Sequence, residues 1–259
     1  MNEEYAISVT VITLNEERNI EECLRSCSWA DEIVVVVDSR STDRTLALTR
    51  QFTDKVFVEE WKGQGALKNV AVHKASKPWI FSIDADERVT PELADEIRTT
   101  VLNPRHNAYA LKRKNLYRGK WIKRGGWWPD KVKRLFKKDT ANFNDAVIHD
   151  AIQVDGSVGE LTNPLIHYPR RSAIDFAERA VRYSEATARE KFEQGQTIGW
   201  AGAIGHTVFA FIDAYIRRAG FLDGGEGFLV AFSNAAGVLY RYALLRELVE
   251  DKRNLVKMR

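Results

Sequence analysis

Over the first hundred residues the apolar positions switch repeatedly between two periods. ISVTVITL (7–14) and EIVVVVDS (32–39) are β-branched runs that predict strands, and the second, apolar on both faces, predicts a central parallel strand. KVFVEE (55–60) and PWIFSID (78–84) predict two more. Helical segments fall between them. Asn15 is the candidate N-cap of a helix through about Cys27, Ser41 or Thr42 that of a helix through about Gln51, and a third helix spans about Gln64 to Ala75. Thr90-Pro91-Glu92 opens another, with Thr90 as N-cap and Pro91 at the first helical position. The resulting βαβαβαβ order predicts an α/β fold with a mostly parallel, doubly wound sheet, whose ligands collect beyond the carboxyl ends of the strands. Those ends read TLNEE, DSRSTD and SIDADE, so acidic and polar residues should gather on one rim.

From 107 to about 152 the strands shorten to AYALKR and KVKRLF, around a loop rich in Gly and Trp, RGKWIKRGGWWPD. After HYPRR the pattern becomes helical: Ser172 can cap a helix whose apolar positions Ile174, Ala177, Val181, Ala188 and Phe192 share a face, and Gly195 can end it. These changes divide the chain into a domain at 1–168 and a helical extension at 169–259. Two further segments, 198–216 and 226–245, are apolar and aromatic, with GFLDGGEGF as the turn between helices. Neither is an uninterrupted span of membrane length; 198–216 comes near it but contains His206 and Asp213. With Arg217, Arg218, Arg241 and Arg246 close by, such helices can lie in an anionic leaflet. The alternative is a hairpin that packs on itself, on the core domain or on a second subunit, making a homo-oligomer.

Composition changes this picture little. At 44% apolar and 29% charged, the 259 residues exclude a disordered or collagen-like chain. The net charge is only +3, yet Lys112 to Lys138 holds twelve Lys or Arg against one acid, Asp130, which calls for an anionic partner. Nucleic acid is not expected, because no zinc-finger, RRM or KH signature is present. The two cysteines, Cys23 and Cys27, share one helix face and read as buried packing in a reducing compartment. MNEEYAISVT has neither a basic region nor a long apolar stretch, so no secretory signal is read and a cytoplasmic protein is expected.

SIDADE concentrates the chemistry. Three carboxylates in four residues repel one another, the more so when partly desolvated, so a positive partner is required. A hard divalent cation such as Mg²⁺ or Mn²⁺ suits them, since it is held by one or two carboxylates plus the oxygens of substrate phosphates. No GxxxxGK[ST] or GxGxxG sequence is present to bind phosphate through a glycine loop.

The segments VTVITLNEERNIEECLRS, EIVVVVDSRSTDRT, GQGALKNVAV and WIFSIDADERV occur in the order and spacing of family 2 glycosyltransferases, and the chain resembles these inverting enzymes of GT-A fold. GGWWPDKVKRLFKK, VIHDAI, ERAVRYS and GFLDGGEGF with RYALLRE look like the branch that glucosylates heptose in the lipopolysaccharide inner core. The resemblance implies a nucleotide-sugar-binding half at 1–105 and an acceptor-binding half at 106–168. It implies that Thr13, Leu14 and Glu16 flank the nucleotide base of a UDP-sugar and that Asp38 accepts from the uracil N–H. Lys68 would stand near the base or diphosphate, where many members have Arg. Asp84 and Ala85 would contact the ribose or metal region, with Asp84 and Asp86 as metal ligands; Glu87 has no assigned role. The catalytic base would be Asp150, with His149 as its neighbour, in competition with Asp145 and Asp130. Trp127 and Trp128 offer either an acceptor-sugar platform or core packing, and Asp130 offers a hydrogen bond to sugar hydroxyls. The acceptor would be lipid-linked or lipopolysaccharide-core saccharide, met on the cytoplasmic face of the inner membrane by a peripheral protein. A nucleotidyltransferase is disfavoured by the acidic TLNEERN where a basic phosphate loop is needed. A non-catalytic saccharide- or membrane-binding protein is the reading of another class.

Overall fold

The computed structural model describes residues 3–144 and 151–257. The chain forms two compact units, one of Met1–Lys114 and Asp130–His167, the other of Asn115–Pro129 and Tyr168–Arg259. Asn115–Pro129, which holds most of the Gly- and Trp-rich loop, groups with the helices.

In the first unit the order is β1 (Ile7–Thr13), α1 (Ile20–Ser26), β2 (Glu32–Asp38), α2 (Thr45–Thr49), β3 (Val56–Glu59), α3 (Gln64–Lys74), β4 (Trp79–Asp84), β5 (Glu87–Arg88) and α4 (Pro91–Leu102). Then come β6 (Ala108–Tyr117), β7 (Lys120–Trp121), β8 (Asp130–Lys137), β9 (Ala141–Phe143), β10 (Ile152–Val154), β11 (Val158–Glu160) and β12 (Leu165–Arg170); the end of β6, all of β7 and the end of β12 belong to the second unit. The main sheet runs β3-β2-β1-β4-β8-β6-β12-β5. Its first four strands are parallel, and β8 then joins β4 antiparallel, with Phe81 opposite Leu135. This is the mostly parallel half-sheet expected, continued as a mixed one.

The strand β2 is apolar on both faces because both are covered. Val35 and Val37 join Val9, Val11 and Phe81 beneath α1 and α4, while Val34 and Val36 face α3. Cys23 and Cys27 are free thiols buried in the first of these layers. Thr90 caps α4 as expected, its hydroxyl accepting from Leu93 N. Asn15 does not cap α1, which starts at Ile20; it takes a left-handed conformation and accepts from Thr42 N instead. That bond ties the loop after β1 to the loop after β2, a tertiary use of an Asn that local pattern reads as a cap.

At the amino end of β2, away from the carboxyl rim, Glu32 is buried and accepts from Ser8 Oγ (2.5 Å), Ser76 N (2.7 Å) and Ser76 Oγ (2.6 Å), and it pairs with Lys55. Burial pushes its carboxyl up, but Lys55, Ser76 and Ser8 outweigh this and lower it to about 2. A depressed carboxylate stabilises the fold above its unfolded value, near 4.5, and loses that contribution as pH falls toward 2. Glu32→Gln is expected to cost about 2–3 kcal/mol at pH 7 and to flatten the dependence of stability on pH between about 4.5 and 2. Urea denaturation across that window checks both.

The second unit contains α5 (Ala173–Glu193), α6 (Trp200–Ile212) and α7 (Gly224–Lys257). Ser172 and Asp175 form the capping box of α5, and Gly195 follows its end with positive φ. The buried face of α5 keeps Ala188 of the expected set but not Ile174 or Val181. Phe176, Ser184 and Ala188 are buried, Ser184 Oγ donating to Gly237 O of α7 (2.6 Å), whereas Ile174 and Val181 are exposed. Small residues let α5 and α7 approach closely, which a pattern of large apolar positions does not reveal. Among the described residues one stretch, Gly220–Asn254, is long and apolar enough by length and composition to cross a membrane, although charges interrupt it and only 28% of its most apolar window is buried.

Candidate active site

The register of the parallel strands builds the rim. β1 lies between β2 and β4, with Thr13 opposite Val37 and Ile12 opposite Asp84, so Thr13, Asp38 and Asp84 end three adjacent strands on one side of the sheet. Lys68 comes to it from α3. Gly65, one turn earlier, allows that approach: a Cβ there would lie 1.9 Å from Asn144 O. Asn69 clamps the same place, bonding Phe143 O and Phe143 N at 2.9 Å each.

The positive partner that SIDADE demands is supplied by the protein itself. Asp84 Oδ1 lies 2.9 Å from Lys68 Nζ, and Asp84 Oδ2 lies 2.5 Å from Arg134 Nη2, donated by β8. Burial opposes ionisation of Asp84, yet the charges of Arg134 and Lys68 hold its carboxyl well below the usual range. Glu87, fully buried, is the hub: Oε1 accepts from Arg134 (2.5 Å) and pairs with Arg113 (3.3 Å), while Oε2 accepts from Asp84 N (2.9 Å) and closes the turn. Burial pulls the Arg134 guanidinium down, but Asp84 and Glu87 raise it further. Ala85 is buried, its carbonyl accepting from Arg88. Asp86 projects elsewhere, Oδ2 lying 3.3 Å from His167 Nε2. The pairing of β5 with β12, which sets His167 opposite Glu87, produces that contact.

Asp38 is 2% exposed and accepts from Arg40 N (2.9 Å), Arg40 Nε (3.0 Å) and Arg40 Nη2 (2.5 Å). The Arg40 hydrogen bonds outweigh burial and lower its carboxyl. Thr13 Oγ1 and Arg134 Nε are buried without a hydrogen-bond partner among the described residues. Leu14 is partly exposed, and Glu16 is fixed by Thr45 Oγ1 to its backbone N–H (2.7 Å) and by Asn19 to its carboxylate (2.6 Å).

Lys68 is neither an exposed helix lysine nor clear of the protein's own charges: it is buried against Asp84 and lies 5.4 Å from the Phe143 ring centroid. Asp130 is bound by Arg113 at 2.8 Å. In the second unit, Trp127 stacks on Phe176 within a core of Tyr117, Ile122 and Val230, and Trp128 stands edge-on to Trp121. His149 and Asp150, with Asp145, lie outside the described residues; Asn144 and Ala151 on either side are bonded to each other, N to O, at 3.1 Å. The sequence reading left out Arg134, Arg113 and His167. The available signal was a basic residue inside the otherwise apolar RLF of β8, where a buried acid must answer it.

Among the described residues no three His, Cys, Asp or Glu side chains converge as a metal site. A hard divalent ion shared with substrate phosphates needs fewer protein donors. The half-buried Asp86 carboxylate fits as one such donor, whereas both Asp84 oxygens already hold cationic side chains, and the spare Arg134 N–H suits an anionic ligand beside it.

Comparisons with known proteins bear on this rim. An uncharacterized glycosyltransferase of Rickettsia typhi is 30% identical, over 96% of this chain and 90% of its own length. The lipopolysaccharide core biosynthesis glycosyltransferase LpsC of Rhizobium meliloti is 28% identical, over 92% and 93%. Among solved structures, TarS 1-349 of S. aureus in complex with UDP-GlcNAc is 17% identical, with a TM-score of 0.47 over 96% of this chain and 92% of that one. Glycosyl transferase family 2 matches residues 8–154, a stretch that takes in the three strand ends, Lys68 and the Asp84–Glu87 turn. More than half of the chain thus carries the family's pattern, and the protein belongs to glycosyl transferase family 2 and is a glycosyltransferase.

Proposed function

We propose that this glycosyltransferase moves a hexose, glucose, from a UDP-sugar to a heptose of the lipopolysaccharide inner core, with inversion and with Mg²⁺ or Mn²⁺ bound. The observation that carries this reading is the rim itself: Asp38 and Asp84 at the ends of parallel strands β2 and β4 on either side of β1, with Asp86 in the turn that follows, backed by two buried cations and a Thr13 hydroxyl buried without a partner among the described residues. The likeness to LpsC over nearly the whole chain supports the core acceptor; another cell-envelope polysaccharide or glycolipid is the alternative.

Asp38 receives the uracil N–H, Thr13, Leu14 and Glu16 flank the base, and Lys68 and Ala85 border the diphosphate. Asp86 would hold the ion, and Asp84 would join it only by giving up one of its ion pairs. When bound, such an ion would supply charge neutralisation to the departing diphosphate. The acceptor hydroxyl gives its proton to Asp150, with His149 as its neighbour in sequence, as its oxygen bonds the anomeric carbon. The bond from that carbon to the diphosphate breaks in line, and its electron pair leaves with UDP. Asp130, held by Arg113, serves the acceptor.

The helical unit docks on the cytoplasmic leaflet as a peripheral surface. Ile204, Val208, Phe209, Ile216, Leu222 and Phe232 are each more than half exposed. Across 115–129 and 198–245 there are seven Lys or Arg against three acids, and two of those acids, Asp213 and Glu226, are in ion pairs with Arg217 and Lys120. Apolar and basic exposure together suit an anionic bilayer.

The test is transfer from a panel of nucleotide sugars, with Mn²⁺ or Mg²⁺, to glucose-free core glycolipid in anionic vesicles that are then floated. The expected result is metal-dependent transfer from UDP-glucose, with inverted product and protein floating with the vesicles. Metal-independent binding of all nucleotides, or no uridine preference, would overturn the donor assignment, and protein left unfloated would overturn the docking.

A further inference from the structure

The base-binding carboxylate is already occupied. Arg40 lays its guanidinium across both oxygens of Asp38, through Nε at 3.0 Å to Oδ1 and Nη2 at 2.5 Å to Oδ2. Its charged carbon sits 4.8 Å from the ring centroid of Trp61, which follows β3 next to the end of β2. A flat, hydrogen-bonding group lying on an aromatic face and donating into a buried carboxylate has the recognition chemistry of a nucleobase. The Asp38 side chain is 2% exposed while that of Arg40 is 53% exposed, so the acid is fixed and the fork can swing into solvent. The Arg40 N–H to Asp38 Oδ1, at 2.9 Å, is independent of the fork and can orient the carboxylate after it leaves.

We propose that the Arg40 guanidinium is a placeholder for the nucleobase: it holds Asp38 and the face of Trp61 in the free protein, and the donor nucleotide binds by displacing it. This rests on the assignment of Asp38 to the base. The placeholder satisfies the buried carboxylate between turnovers, and it sets a threshold that a ligand must exceed. A base with an N–H donor next to a carbonyl and a stacking face repays the exchange. A bare diphosphate or sugar phosphate does not touch Asp38 and displaces nothing, so the device selects for the base.

Calorimetric titration of the full-length protein with UDP, and with inorganic pyrophosphate as the base-free probe, tests it in the presence of Mn²⁺. Arg40→Ala is expected to tighten UDP about tenfold, the equivalent of ~1.4 kcal/mol, which is the order of one exposed cation–π contact and ion pair together, and to leave pyrophosphate unchanged. Arg40→Lys, which cannot form the planar fork, should fall between. Trp61→Ala should weaken UDP in the Arg40→Ala background, because the base then loses its stacking face. Weaker or unchanged UDP binding in Arg40→Ala would overturn the placeholder, weaker binding making Arg40 a direct ligand contact. If Asp38→Asn binds UDP as tightly as the unmodified protein, the base assignment itself fails. The two failures are thereby separate.

Discussion

Asp86→Asn is expected to reduce kcat for sugar transfer by about 10²–10³-fold, with the protein still folded and still binding acceptor. The substitution keeps the shape and removes the charge that would hold a divalent ion on the diphosphate. Asp86 is half-buried with its Oδ2 3.3 Å from His167 Nε2, and the Arg134 and Lys68 pairs to Asp84 do not pass through it. Stability should therefore fall by less than in Asp84→Asn, since one contact to His167 weakens while the two ion pairs of Asp84 stay. The paired variant makes the point sharper. Asp84→Asn leaves Lys68 and Arg134, both buried, short of a counter-charge, and should lower stability as well as transfer. The metal-titration midpoint, the transfer rate and the urea midpoint, measured for both variants, check this; a large loss of stability in Asp86→Asn, or full activity with the ion still required, would refute it.

The two aspartates of one short motif thus have different partners, and this was only half legible in the sequence. The rim was legible because parallel strands share a direction: once β1, β2 and β4 are recognised from their apolar runs, their carboxyl ends must meet. Thr90 and Ser172 were legible as caps because capping is local. What pairs with Asp84 was not. Arg134 stands fifty residues away on a strand whose antiparallel register against β4 no local pattern fixes. Glu87 looked like a third repelling carboxylate in SIDADE and is instead the counter-charge that makes Arg134 tolerable inside the sheet. Trp127 was open between platform and core, and Phe176, from a distant helix, stacks on it. The apolar face of α5 failed for a related reason, since Gly237 and Ser184 decide which side can approach α7.

Removing the centre of this network should have the largest effect on stability. Arg134→Met retains the length and apolar stem of the side chain but, among the described residues, leaves Arg113 at 3.3 Å as the one cation on fully buried Glu87 and Lys68 as the one on Asp84. Stripping one partner from a buried ion network costs about 3–5 kcal/mol, a large share of a typical domain's stability. The urea midpoint should fall accordingly with m unchanged. Neutralising the orphaned acid restores part of the loss: Glu87→Gln in the Arg134→Met background should be more stable than the sum of the two single changes, because the uncompensated charge is gone. The pH dependence shifts in a defined direction. Arg134 and Lys68 depress the Asp84 carboxyl, so its contribution to stability is present above the unfolded value and lost as pH falls through the lower, folded one. Without Arg134 the depression shrinks, and acid unfolding moves to higher pH. Activity should not return in the double variant, since Asp84 still lacks the guanidinium that fixes its second oxygen. A double variant that regains stability but not transfer assigns Arg134 to positioning the rim, whereas recovery of both would leave it only a structural counter-charge.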